Sequence, residues 1–129
     1  MFKKVLVIAA IVAPTVVVSA IAQQAAIKRT PLQTVDFPPG FTTVSGIAEI
    51  AAGNCAGRHT HPGIESSYLM EGEAILKVAG QPDRTLKAGD SFQIPPGTPH
   101  DACTPAGQAA KVLAVYVVEK GKPLASPAP

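Results

Sequence analysis

The sequence predicts an all-β fold built from short antiparallel strands, and three observations predict it. Thirteen Pro and 11 Gly in 129 residues interrupt the chain every few positions, too often for long helices. Between these breaks lie short runs with strand-type composition, among them Val112-Leu113-Ala114-Val115-Tyr116-Val117-Val118. No segment recurs at a fixed period, so the strands form one set rather than a duplicated unit. A chain of 129 residues has room for one domain.

Residues 1–22 carry the three parts of a secretory signal. Lys3 and Lys4 supply the positive start, the run over 5–18 is apolar, and Ala20-Ile21-Ala22 places small side chains at a peptidase site. Cleavage after Ala22 is expected, with a secreted and most simply periplasmic destination. The apolar run is short for a membrane span and Pro14 interrupts it, so no membrane association is expected once the signal is removed. The whole chain has 11 Lys+Arg and 9 Asp+Glu. Without Lys3 and Lys4 the two signs balance. A neutral chain with two Tyr, four Phe and no Trp lacks both the positive field and the stacking surfaces that nucleic-acid binding uses.

Residues 23–42 contain Pro31, Pro38 and Pro39 without a clear period, and read as an extended N-terminal arm that could cross to a partner subunit. Strands are expected over 42–51, 65–71, 73–79, 91–94 and 111–118. Gly80-Gln81-Pro82-Asp83 is turn-forming and sits between two β-type runs, which predicts a hairpin to 84–86. The run over 112–118 is apolar on both parities, as suits a strand covered on both faces, although a short buried helix would also satisfy the pattern. The tail over 120–129 holds Pro123, Pro127 and Pro129 and reads as flexible. In an oxidising compartment Cys55 and Cys103 could pair. Their spacing leaves a disulfide and two free thiols equally open.

The chemistry-bearing residues are the three histidines and one carboxylate: His59-Thr60-His61, then Glu65, then His100. Side chains two apart on a strand project from one face, so His59 and His61 can converge on one point. Pro62 pushes His61 toward extended geometry, and Pro62-Gly63 can turn the chain to bring Glu65 back. Three imidazoles and a carboxylate make a mixed nitrogen and oxygen donor set that suits one divalent transition metal, Fe, Mn, Ni, Cu or Zn. Arg58 and Asp101 flank ligand positions and are expected as rim charges. Tyr68, Met70 and Phe92 are expected in the core. The chain has no Ser-His-Asp order, no Gly loop with Lys for phosphate, and no Cys-x-x-Cys pair.

The full pattern reads Gly53-x5-His59-x-His61-x3-Glu65-x6-Gly72, then Gly89-x5-Pro95-x-Gly97-x2-His100. At every one of these spacings it resembles the two motifs of the cupin superfamily, over residues 43–119. One departure stands at Thr104, where the family pattern has Asn four positions after the last histidine. The resemblance implies a single jelly-roll barrel, with no substantial helix after the signal peptide, and His59, His61, Glu65 and His100 as ligands of a metal inside one end. It also implies a homodimer and a small-molecule substrate or ligand. Among the activities the scaffold hosts, a metal-dependent dioxygenase of the quercetinase type is the foremost expectation. The alternative is a non-catalytic module that binds or senses a small ligand or a metal. The residues themselves assign no catalytic acid or base beyond the ligand set.

Overall fold

The computed structural model describes residues 27–129, so the expected leader and its cleavage site lie outside the described residues. No helix occurs among the described residues. The elements are β1 (Ile27–Val35), β2 (Phe41–Ile50), β3 (His59–Thr60), β4 (Gly63–Val78), β5 (Arg84–Lys87), β6 (Ser91–Ile94), β7 (His100–Cys103), β8 (Ala110–Glu119) and β9 (Ser126–Pro127). Every pairing is antiparallel. The order is β1-β2-β8-β4-β7-β3-β9, with β5 and β6 also paired to β4. The result is the curled sheet of a double-stranded β-helix, as the sequence predicts.

β4 is the strand that makes the curl. Its first half pairs with β8 and β6, and its second half pairs with β5 and β7. Along the first half, Gly63, Glu65, Ser67 and Leu69 are buried while Ile64, Ser66, Tyr68 and Met70 face solvent. A bulge between Leu69 and Glu71 then shifts the parity, and Ala74 and Leu76 become the buried positions. Gly72 follows at once with φ 84°, and a β-carbon there would collide with the Ala109 carbonyl oxygen. The two expected strands 65–71 and 73–79 are therefore one strand that bends, because glycine lets the backbone pass close to its neighbour. Tyr68 and Met70, expected in the core, lie on the outer face of this strand, 46% and 41% exposed.

Inward side chains from both sheets meet in a core of Leu69, Ala74, Leu76, Leu86, Phe92, Ile94, Val112 and Ala114. Leu69, Leu86 and Ile94 are wholly buried, each worth about 1.5–3 kcal/mol in apolar surface removed from water. The hairpin expected at 80–83 joins β4 to β5, closed by the Gln81 amide donating to the Val78 carbonyl at 3.0 Å. Cys55 and Cys103 form a disulfide, S–S 2.05 Å, tying the segment ahead of β3 to the end of β7.

Two terminal segments differ from their expected form. The arm contains β1, which runs in register along β2 from Ile27 opposite Ile50 to Val35 opposite Thr43. Only Ile27 on it is buried, which is why hydrophobic periodicity did not announce a strand. The tail carries β9. Ser126 pairs with Thr60 and Pro127 with His59, and the Ala128 amide donates to the Arg58 carbonyl at 3.0 Å.

Candidate metal centre

β3 and β7 pair through one register point, His59 opposite His100, so two of the four candidate ligands are cross-strand neighbours. His61 lies just beyond β3, held extended ahead of Pro62, and Glu65 points inward from β4. One donor atom from each of His59, His61, Glu65 and His100 lies within 4.8 Å of every other. His61, Glu65 and His100 are 3–6% exposed, so these polar groups have left water and must be satisfied locally. The sequence-derived set is brought together complete.

The hydrogen bonds around the rings decide what the cluster can hold. His59 Nδ1 lies 2.6 Å from the Gly57 carbonyl oxygen, His100 Nδ1 2.9 Å from that of Thr98, and His61 Nδ1 2.6 Å from that of Leu124. A carbonyl only accepts, so each Nδ1 carries a proton, and in a neutral ring Nε2 then presents a lone pair. Those lone pairs face one another. His59 Nε2 lies 3.2 Å from His61 Nε2, and the Nε2 atoms of His61 and His100 each lie 3.1 Å from Glu65 Oε2. In neutral rings these lone pairs and the carboxylate repel one another unless a cation sits among them, either a proton on Nε2 donated to Glu65 or a metal ion, and three imidazole nitrogens with one carboxylate oxygen are a donor set that a divalent transition ion takes. Glu65 is itself steadied by Ser67, whose hydroxyl donates to Oε1 at 2.6 Å.

Burial governs the protonation of the cluster. It pushes the His59 imidazole down to about 4. For Glu65 burial acts upward, but the hydrogen bonds from His100, His61 and Ser67 outweigh it and hold the carboxyl far below the usual range. For His100 burial is the largest single effect and acts downward, but the hydrogen bonds to Glu65 and to the Thr98 carbonyl, with the negative charges of Glu65 and Asp101, together outweigh it and displace the ring upward. Both ends of the pair therefore favour the ionised carboxylate.

His59, Glu65 and His100 of the cluster line a recess of about 50 Å³. Phe92, Leu76, Val112 and Ala114 wall it, and Tyr116 and Arg29 bring polar tips to it. The Tyr116 ring lies 4.7 Å from that of His61. Burial, with the negative charge of Glu65 added, raises the phenol above its ordinary value, so it keeps its proton at neutral pH. Sequence reasoning missed Tyr116 because it stands in a run apolar on both parities. The signal available was position, since Val112, Ala114, Tyr116 and Val118 share one side of β8.

The remaining expectations sort cleanly. Arg58 is exposed, and its Nε donates to the Pro129 carbonyl. Asp101 is half-buried and accepts from the Gly57 and Ala102 amides at 3.0 and 2.8 Å, clamping the loop before His59 rather than lying free at the rim. Thr104, in place of the family's Asn, is 7% exposed. Its hydroxyl donates to the Ala51 carbonyl at 2.6 Å and accepts from the Asn54 amide at 3.1 Å, tying the end of β7 to the loop after β2.

A curled antiparallel barrel holding a three-histidine, one-glutamate cluster defines a class of β-barrel with a candidate metal centre. The chain belongs to the cupin domain family, which matches residues 46–116. No match was found among curated proteins. Solved structures share the fold. The DMSP lyase DddQ from Ruegeria pomeroyi DSS-3 superposes with TM-score 0.69 at 22% identity, covering 81% of this chain and 52% of that one. An oxalate oxidase in complex with the substrate analogue glycolate gives 0.60 at 21% identity, covering 74% and 55%. The polyketide cyclase RemF from Streptomyces resistomycificus gives 0.56 at 22% identity, covering 70% and 77%. The chain thus spans about half the length of the lyase and of the oxidase. These likenesses are in fold.

Proposed function

We propose that His59, His61, Glu65 and His100 hold one divalent transition metal ion and that the protein is a metal-dependent dioxygenase acting on a small enolic molecule. The single observation that carries this reading is the set of four donor atoms from His59, His61, Glu65 and His100 within 4.8 Å of one another, three of these residues also lining a recess walled mainly by apolar side chains. When bound, such an ion supplies open positions for oxygen ligands and, if redox-active, one-electron chemistry. The chain's own residues do the rest. The apolar walls exclude water and favour an aromatic or enol-bearing body. The Tyr116 phenol, protonated at neutral pH, can donate to a substrate oxygen. Arg29 lines the same recess and offers a positive charge to an enolate or carboxylate.

The test is oxygen uptake with a flavonol or related enolic compound after loading with Fe(II), Mn(II), Ni(II) or Cu(II), beside His61→Ala loaded in the same way. Uptake above that variant supports the reading. A ligand-induced thermal shift without uptake under any metal replaces it with a binding or sensing module.

We further propose export to the periplasm, supported by the leader and by the Cys55–Cys103 bond, which belongs in an oxidising compartment. A homodimer is proposed through the β1 side of the barrel. Leu32, Val35 and Phe37 there are 49%, 57% and 65% exposed, an apolar patch that a second copy would cover.

A further inference from the structure

The three ring-holding carbonyls do not have the same origin. Gly57 and Thr98 each stand two residues before the histidine they hold, so those two rings are oriented by their own strand segments. The third carbonyl, that of Leu124, comes from 63 positions further along the chain. It is delivered by residues 123–129, which run antiparallel along β3 at the edge of the sheet. Three contacts pin that strap to the ligand-bearing segment: the β9 pairing with His59 and Thr60, the Ala128 amide on the Arg58 carbonyl at 3.0 Å, and Arg58 Nε on the Pro129 carbonyl. Leu124 also lines the groove that runs on from the recess past Tyr116 and Arg29.

We propose that the strap over residues 123–129 is a positioning element for the metal centre, and that the Leu124 main-chain carbonyl is the group that fixes the tautomer and the aim of His61. The inference rests on the metal-centre reading above and adds to it a part that lies outside the ligand motifs. The argument is one of alternatives. His61 is 4% exposed with the strap in place, so as long as the strap stays the Leu124 carbonyl, 2.6 Å away, is the acceptor that holds its Nδ1 proton. A ring released from Leu124 is free to carry its proton on Nε2, where it blocks coordination, and free to turn about its side-chain torsions. His59 and His100 keep their own carbonyls in either case. The strap therefore acts on one ligand of the four, and its loss weakens the site without dismantling it.

The experiment uses Co(II) alone as the probe, with dissociation constants read by chelator competition and the visible absorption of the bound ion as the signature of its geometry. Three proteins are compared: the full chain, a deletion of residues 123–129, and Ala128→Pro, which removes one strap amide and touches no ligand. The proposal expects Co(II) affinity about tenfold or more weaker in the deletion and intermediate in Ala128→Pro. It also expects an altered visible spectrum, and a thermal midpoint of the metal-free deletion close to that of the full chain. Imidazole nitrogen NMR of the metal-free proteins should show His61 as the Nδ1–H tautomer in the full chain and as a mixture in the deletion. Equal affinity and an identical spectrum in all three proteins overturn the strap assignment and leave the metal centre standing. A full chain that binds no Co(II) overturns the metal-centre reading itself, and with it this one. Should the deletion fold poorly, Ala128→Pro decides the matter alone: affinity and spectrum unchanged while its strap is displaced refute the proposal.

Discussion

Ser67 reaches the candidate metal only through Glu65, and its loss isolates the worth of that indirect contact. Ser67→Ala removes the hydroxyl on Oε1 and should weaken metal binding by about tenfold, measured by chelator competition. His61→Ala removes a donor that no neighbour replaces, and elemental analysis should find most of the metal gone. The pH response of the metal-free protein has a sign that the buried rings dictate. The His59 pKa is depressed in the fold to about 4. The unfolded ring, near 6.5, takes a proton that the folded one refuses, so this group costs stability as pH falls from about 6.5 toward 4. His100 is displaced upward and acts oppositely, adding stability below its unfolded value. Urea melts at pH 7, 5.5 and 4 should therefore show a smaller acid loss in His59→Asn than in the wild type. The four donors were legible in the sequence because their spacing is itself the geometry: two on one strand face, one after a proline turn, one after a second. Tyr116 and the Leu124 carbonyl were not. The first hides in an apolar run, and a main-chain acceptor has no residue type to announce it.

At the scale of elements, the bend in β4 and the disulfide each admit a direct measurement. Gly72→Ala places a β-carbon against the Ala109 carbonyl at a left-handed φ, and should cost about 2–4 kcal/mol by urea denaturation. Cys103→Ser opens a link between residues 48 positions apart, for which chain entropy gives at most about 4 kcal/mol; the same melt reads the loss. Strands with one wet face, such as β4 and β6, were legible from alternation, and β8 from its unbroken apolar run rich in valine. β3 and β9 have two residues each, too few for any period to show. β1 has a single buried side chain, so its strand form is set by pairing with β2 rather than by its own pattern.

For the whole molecule, the proposed dimer is the assembly to test. Sedimentation equilibrium at micromolar concentration should return twice the chain mass, and Leu32→Glu with Phe37→Glu should return the monomer, both side chains being exposed in the single chain. The position of β2 between β1 and β8 has a consequence of a different kind, in time rather than in space. β2 pairs Phe41 with Glu119 and Ile50 with Ala110, so a strand made early must wait for one made late. Until β8 arrives, one edge of β2 has its amides and carbonyls open to any passing strand. Contacts so distant along the chain are slow to close, which places refolding in the millisecond-to-second range typical of such topologies. A chain that lingers there with an open edge is the form on which a holding chaperone would act, before any metal site exists to be filled.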